Sequence, residues 1–104
     1  MEFIETSIFT ERIVKLLNDR DYGQLQCELA SFPRKGDVIP GANGLRKLRW
    51  GAGSRGKRGG LRIIYYCESA GRIVMIFTYD KVPQGDLTRQ QLKTLSDYVR
   101  GGVL

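Results

Sequence analysis

A chain of 104 residues with 41% hydrophobic and 27% charged content is the size of one domain, spanning 1–104, and can bury a modest core. No apolar run approaches the ~20 residues of a membrane span, and Glu2 and Glu5 stand where a secretory signal would be basic, so a cytoplasmic protein without a membrane partner is expected. The net charge of +6 is unevenly placed: residues 45–62 hold seven bases and no acid, residues 1–44 five bases and seven acids, and residues 63–104 five and four. There is no histidine, which removes the usual general base and the commonest metal ligand. With only two cysteines, Cys27 and Cys67, a zinc site is not expected, and both are read as buried thiols in a reducing compartment.

In chain order, residues 2–5 can form a short edge strand. Thr6 or Ser7 then caps a helix on which Phe9, Ile13, Leu16 and Leu17 share a face. Asn18 to Asp21 restarts the chain with capping side chains, and Tyr22, Leu25, Leu29 and Phe32 repeat at helical spacing up to Pro33, so the spacing predicts an N-terminal helical hairpin. Residues 33–44, with two prolines and three glycines, read as loop. Residues 45–50 alternate, with Lys47 and Arg49 on one face of a strand and Leu48 and Trp50 on the other. Residues 51–60 contain five glycines and three bases, too much glycine for a strand interior, and suit a basic hairpin loop.

Residues 61–67 are β-branched and aromatic and read as strand, with Arg62, Ile64 and Tyr66 on one face. A turn at 68–72 leads to residues 73–79, apolar on both faces as in a covered central strand. Thr88 and Gln91 form a capping box, Leu87 and Leu92 a hydrophobic staple, and Leu92, Leu95 and Val99 the buried face of a last helix that stops at Gly101-Gly102. The expected fold is α+β: a helical hairpin, a three- to four-stranded antiparallel sheet and a C-terminal helix. Helices on one face would leave the other to carry Lys47, Arg49 and Arg62.

Strands 45–50 and 61–67 should pair, which brings Lys47, Arg49 and Arg62 within about 5 Å of cross-strand neighbours at Cβ, with Lys81 joining from the side. Like charges this close repel, so a fold that gathers them suits an anion, and phosphates are the commonest. Tyr65, Tyr66 and Tyr79 lie beside the patch. Aromatics next to bases can stack on unpaired nucleobases; Tyr65 reads as core, and Tyr79 as a strand-end residue with its hydroxyl toward solvent. The glycine-rich loop lacks the GxxxxGK[ST] spacing, so nucleotide hydrolysis is not supported.

Four motifs resemble the RelE/ParE toxin superfamily, most closely its HigB-like branch: Gly36-Asp37, Gly44 to Trp50 (GLRKLRW), Gly56 to Tyr66 (GKRGGLRIIYY) and Tyr79-Asp80-Lys81. The resemblance implies a RelE-like microbial ribonuclease fold and the toxin of a type II toxin–antitoxin system. Such a toxin is an endoribonuclease that cuts mRNA on the ribosome and inhibits translation, with no metal and no cofactor. The ribose 2′-hydroxyl attacks the adjacent phosphate, giving a 2′,3′-cyclic phosphate and a free 5′-hydroxyl.

It also implies roles. Lys47 and Arg49 match the paired bases of the first active strand, Arg62 the arginine opening the next, and Lys81 the base after the third. Arg62 and Lys81 suit stabilisation of the phosphorane charge. Lys47, beside Arg46, Arg49 and Arg62, is the candidate general base, since a guanidinium stays protonated. Leu87 stands where RelE has a base-stacking tyrosine, and Tyr79 is the substitute. Arg46, Arg55, Lys57, Arg58 and Tyr66 are candidate contacts to RNA, Arg55, Lys57 and Arg58 gripping ribosomal RNA. The implied partners are mRNA, the ribosome and a cognate antitoxin, HigA-like and DNA-binding. Two other readings are a ParE-like non-nuclease inhibitor of DNA gyrase, which such a cluster of bases disfavours, and a nucleic-acid-binding module without activity.

Overall fold

A computed structural model of the chain describes residues 1–51, 60–81 and 85–101. The predicted loop bases Arg55, Lys57 and Arg58 lie outside these residues. The described elements are β1 (Glu2–Glu5), α1 (Ser7–Leu16), α2 (Asp19–Ser31), β2 (Asp37–Val38), β3 (Arg46–Trp50), β4 (Leu61–Ser69), β5 (Arg72–Asp80) and α3 (Arg89–Arg100). Among the described residues no helix is long and apolar enough to cross a membrane.

The fold is α+β, but the sheet departs from the expected antiparallel three or four strands. It has five, in the order β1-β5-β4-β3-β2, and it is mixed: β1 runs parallel to β5, with Glu2 beside Arg72 and Glu5 beside Met75. The fifth strand, β2, comes from the segment read as loop. Its two residues pair with Arg46 and Lys47 of β3, too short a run to show a period in sequence. The β4–β5 turn is also tighter than expected, with only Ala70 and Gly71 between the strands.

Helix boundaries follow capping chemistry. Thr6 accepts from the Phe9 amide at the start of α1, Asn18 from the Asp21 amide at the start of α2, and Thr88 and Gln91 close the reciprocal box of α3. Asp19 and Asp21 in the first turn of α2 favour its positive end. That helix stops at Phe32, the residue before Pro33, where the ring disfavours helical backbone.

Helices cover both faces of the sheet, not one. Phe9 and Ile13 of α1 and Leu25 and Leu29 of α2 pack with Leu48, Ile63, Tyr65, Ile73 and Met75 on one face. On the other, Leu95 and Val99 of α3, with Ile39 and Leu87, cover Leu45, Ile64, Val74, Ile76 and Tyr79. The basic strand residues therefore share their face with a helix. Of the thiols expected inside, Cys27 is exposed and Cys67 half-buried, because position 27 faces away from the Leu25 and Leu29 stripe of α2.

The free edge of β5 is also covered. Beyond Met75, where β1 ends, the Thr6 hydroxyl donates to the Ile76 carbonyl at 2.7 Å and Arg12 Nε donates to the Thr78 carbonyl at 2.6 Å. The Arg12 guanidinium lies 4.7 Å from the centre of the Phe77 ring. These contacts satisfy strand carbonyls that a neighbouring strand would otherwise take.

Candidate functional site

β3 and β4 pair in the register that brings the bases together. Arg49 is directly opposite Arg62, and Lys47 is opposite Ile64. On the other side of Arg62, Tyr79 of β5 is its partner. Residues opposite each other project to the same face, so Lys47, Arg49, Arg62 and Tyr79 share one side of the sheet.

Tyr79 reaches that side through a bulge. The register moves from Tyr65–Met75 to Ile64–Phe77, so Ile76 is the extra residue. Without it, the alternation running from Ile73 and Met75 would carry Tyr79 to the opposite face. The same register places Thr78 so that its hydroxyl donates to the Arg62 carbonyl at 2.8 Å.

Arg62 is the unusual member. It is 7% exposed, and the only hydrogen bond its guanidinium makes among the described residues runs to the Leu61 carbonyl at 3.2 Å. Among the described residues, which include all eleven Asp and Glu side chains, no carboxylate pairs with it. Arg49 and Lys47 likewise form no ion pair there. Burying an unpaired cation is expensive, and here a second cation sits across from it.

Lys81 differs. It joins the patch at the end of β5, but its Nζ lies 3.5 Å from Asp86 Oδ2, and Lys47 stands directly opposite Asp37 of β2, so among the described residues the acid-free surroundings expected for the whole cluster hold for Arg62 and Arg49 and not for Lys81 or Lys47. Tyr79 is fully buried, which corrects its expected solvent-facing hydroxyl and leaves no ring face open to a stacked base. Burial and the charge of Asp86 push its phenol up, while Arg62 and the Leu87 backbone pull it down. A neutral phenol is thus wedged between the buried guanidinium and the Lys81–Asp86 pair.

The remaining candidates separate. Arg46 lies on the opposite face, and its Nη1 donates to the carbonyls of Arg34 at 3.2 Å and Gly36 at 2.8 Å, which ties down the segment leading into β2. Tyr66 is half-buried on the patch face, but four residues from Arg62 along β4, about 13 Å. Tyr65 is core, as expected; its hydroxyl accepts from the Gly36 amide and donates to the Pro33 carbonyl, both at 2.8 Å. A groove of about 930 Å³ lined by Phe32, Pro33, Arg34 and Cys67 lies beyond Tyr66, at the far end of β4. Burial pushes the Cys67 thiol up, and its Sγ sits 3.2 Å from the Pro33 carbonyl, a setting for a quiet thiol and not a nucleophile.

No family model matches the chain. What the site can do must be argued from its own chemistry. Arg62, Arg49 and Lys47 share one face of the sheet and form no ion pair among the described residues; such a set can hold a tetrahedral oxyanion, and a guanidinium can fork onto two of its oxygens. Asp86, which pairs with Lys81 and adds to the burial that raises the Tyr79 phenol, was not among the predicted site residues, although Asp86-Leu87 belongs to the segment that carries the family resemblance. It lies in a short polar link before α3, and only the folded chain brings it to the strand ends.

Proposed function

We propose that this chain is a ribosome-dependent, metal-independent endoribonuclease of the RelE/ParE type, close to the HigB-like branch: a cytoplasmic toxin held in check by a cognate antitoxin. One observation carries the reading. Arg62 is buried directly opposite Arg49, and neither has a carboxylate partner among the described residues, a standing deficit of negative charge that a phosphodiester entering the site would fill. The Gly44 to Trp50, Gly56 to Tyr66 and Tyr79 to Lys81 motifs support the same assignment, as does a helix–helix–sheet–helix order compatible with a RelE-like arrangement.

In the proposed reaction the ribose 2′-oxygen loses its proton to a base, attacks the adjacent phosphorus, and expels the 5′-oxygen, which takes up a proton. The products are a 2′,3′-cyclic phosphate and a 5′-hydroxyl. Arg62 and Arg49 would stabilise the phosphorane, Lys47 is the candidate to receive the 2′-proton, and Lys81 stands where the leaving oxygen could be protonated. The ribosome would supply the in-line alignment of mRNA that so sparse a site does not provide alone.

The test is induction of the chain in cells followed by primer extension on cellular mRNA, repeated with purified ribosomes. Cleavage inside codons, cyclic-phosphate ends and their loss in a folded Arg62→Ala variant are expected. Intact mRNA with inhibited DNA supercoiling would overturn the reading in favour of a gyrase inhibitor, and a folded Arg62→Ala variant that cuts like wild type would show that the site lies elsewhere.

A further inference from the structure

A second basic surface leads away from the Arg62 patch. α3 and the 39–42 loop enclose a groove of about 420 Å³ with Arg89, Lys93 and Arg100 along one wall and Ile39, Ala42 and Leu92 among its apolar lining. Its one acid, Asp97, is engaged with Lys93 at 3.1 Å. The two walls are fastened together: Asn43 Nδ2 donates to the Ser96 hydroxyl at 2.7 Å and to its carbonyl at 3.2 Å.

The groove runs along a helix that starts near the site. Arg89 is two residues beyond Leu87, whose backbone meets the Tyr79 hydroxyl, and Asp86 holds Lys81 at the same corner. From there α3 rises about 1.5 Å per residue, which sets Lys93 about 6 Å and Arg100 about 16 Å beyond Arg89.

Resting on the reading of Arg62 as an RNA-backbone site, we propose that this groove carries the same RNA strand onward, its phosphates on Arg89, Lys93 and Arg100 and its sugars and bases against the apolar lining. The basic lining, on a helix that starts beside Tyr79 and Lys81, favours RNA over an acidic polypeptide, for which the bases at Arg62 would have no use. Strand-tracking grooves of this kind pair bases with apolar or aromatic surface.

The experiment uses the purified full chain, with fluorescent trinucleotide and dodecanucleotide RNAs made uncleavable by 2′-O-methyl groups, and anisotropy over a range of salt. The triple variant Arg89→Gln, Lys93→Gln, Arg100→Gln is compared with wild type and with Arg62→Ala, each checked for an unchanged circular dichroism spectrum. The triple variant should bind the trinucleotide as wild type does. For the dodecanucleotide its salt slope should fall by about 2, a weakening of about 50-fold at roughly 0.15 M salt.

Undiminished dodecanucleotide binding by the triple variant, with Arg62→Ala impaired on both RNAs, overturns the groove and leaves the patch standing. Equal losses on the two RNAs also overturn it, since the bases would then serve the patch alone. Wild-type binding of both RNAs by Arg62→Ala is instead a failure of the parent reading. A parallel titration with fluorescent polyglutamate completes the test: a triple variant that keeps RNA binding and loses polyglutamate binding overturns the RNA groove and reassigns it to an acidic polypeptide.

Discussion

Arg62 holds a charge in a place where charge is disfavoured. Its guanidinium is nearly enclosed, bonded only to a backbone carbonyl among the described residues, and faced by Arg49. Replacing such a group by an apolar side chain of similar volume removes a desolvation penalty, so Arg62→Met should abolish activity and raise stability by about 1–3 kcal/mol. Urea unfolding with and without inorganic phosphate checks both halves. Wild type should gain stability with phosphate, by RT ln(1 + c/Kd) at phosphate concentration c, and the variant should not. A wild-type protein indifferent to phosphate would mean that this guanidinium does not await an anion. The convergence of Lys47, Arg49 and Arg62 was legible because alternation and a single hairpin connection fix which residues oppose one another. The burial of Tyr79 was not, since nothing in TYDK announces that Leu87 and α3 cover the strand end.

The elements with long regular patterns were readable and the short or irregular ones were not. α1, α2 and α3 follow from apolar spacing and from Thr6, Asn18 and Thr88, and β4 from its β-branched and aromatic run. β2 was hidden in a stretch rich in glycine and proline, because its existence depends on a distant side chain. Tyr65 receives the Gly36 amide and holds the Pro33 carbonyl, which brings Asp37 and Val38 against β3. A Cβ at position 36 would meet the Tyr65 ring at 2.8 Å and the Lys47 backbone at 3.1 Å. Gly36→Ala should therefore destabilise by about 1–3 kcal/mol, and hydrogen exchange should show lost protection first at Asp37, Val38 and Lys47. Wild-type protection at these amides would mean that β2 does not depend on the close approach. The bulge at Ile76 was equally silent: an unbroken apolar run from Ile73 to Phe77 carries no mark of a register change, yet that change sets Tyr79 beside Arg62.

Three tyrosines knit the layers together and share a response to alkali. Burial leads the causes that push Tyr22, Tyr65 and Tyr79 above the ordinary phenol value of 10.0, with the charge of Glu5 adding to it at Tyr22. In the unfolded chain these phenols ionise near that ordinary value, whereas the folded protein keeps them protonated. The unfolded state therefore binds fewer protons above about pH 10, and stability present below that pH is lost as pH rises toward the folded values. Urea midpoints should be insensitive to these groups near neutrality and fall steeply above about pH 10, with the tyrosinate absorbance of these three, out of five tyrosines in the chain, appearing only together with unfolding. Ordinary titration of all three phenols with the fold intact would contradict this account. The coverage of both sheet faces was missed for a related reason: the α3 stripe of Leu92, Leu95 and Val99 reveals that the helix packs, but not on which side.

The parallel pairing of β1 with β5 sets a timetable for biosynthesis. Among the described residues, the first strand of the sheet pairs with the last, some seventy positions later, and Tyr79 and α3 come from that same later portion. A nascent chain cannot close its sheet or assemble the proposed cutting site until the segment at 72–80 has left the exit tunnel. If its target is the translating ribosome, the machine that builds the protein would be out of danger from each copy until that segment has emerged.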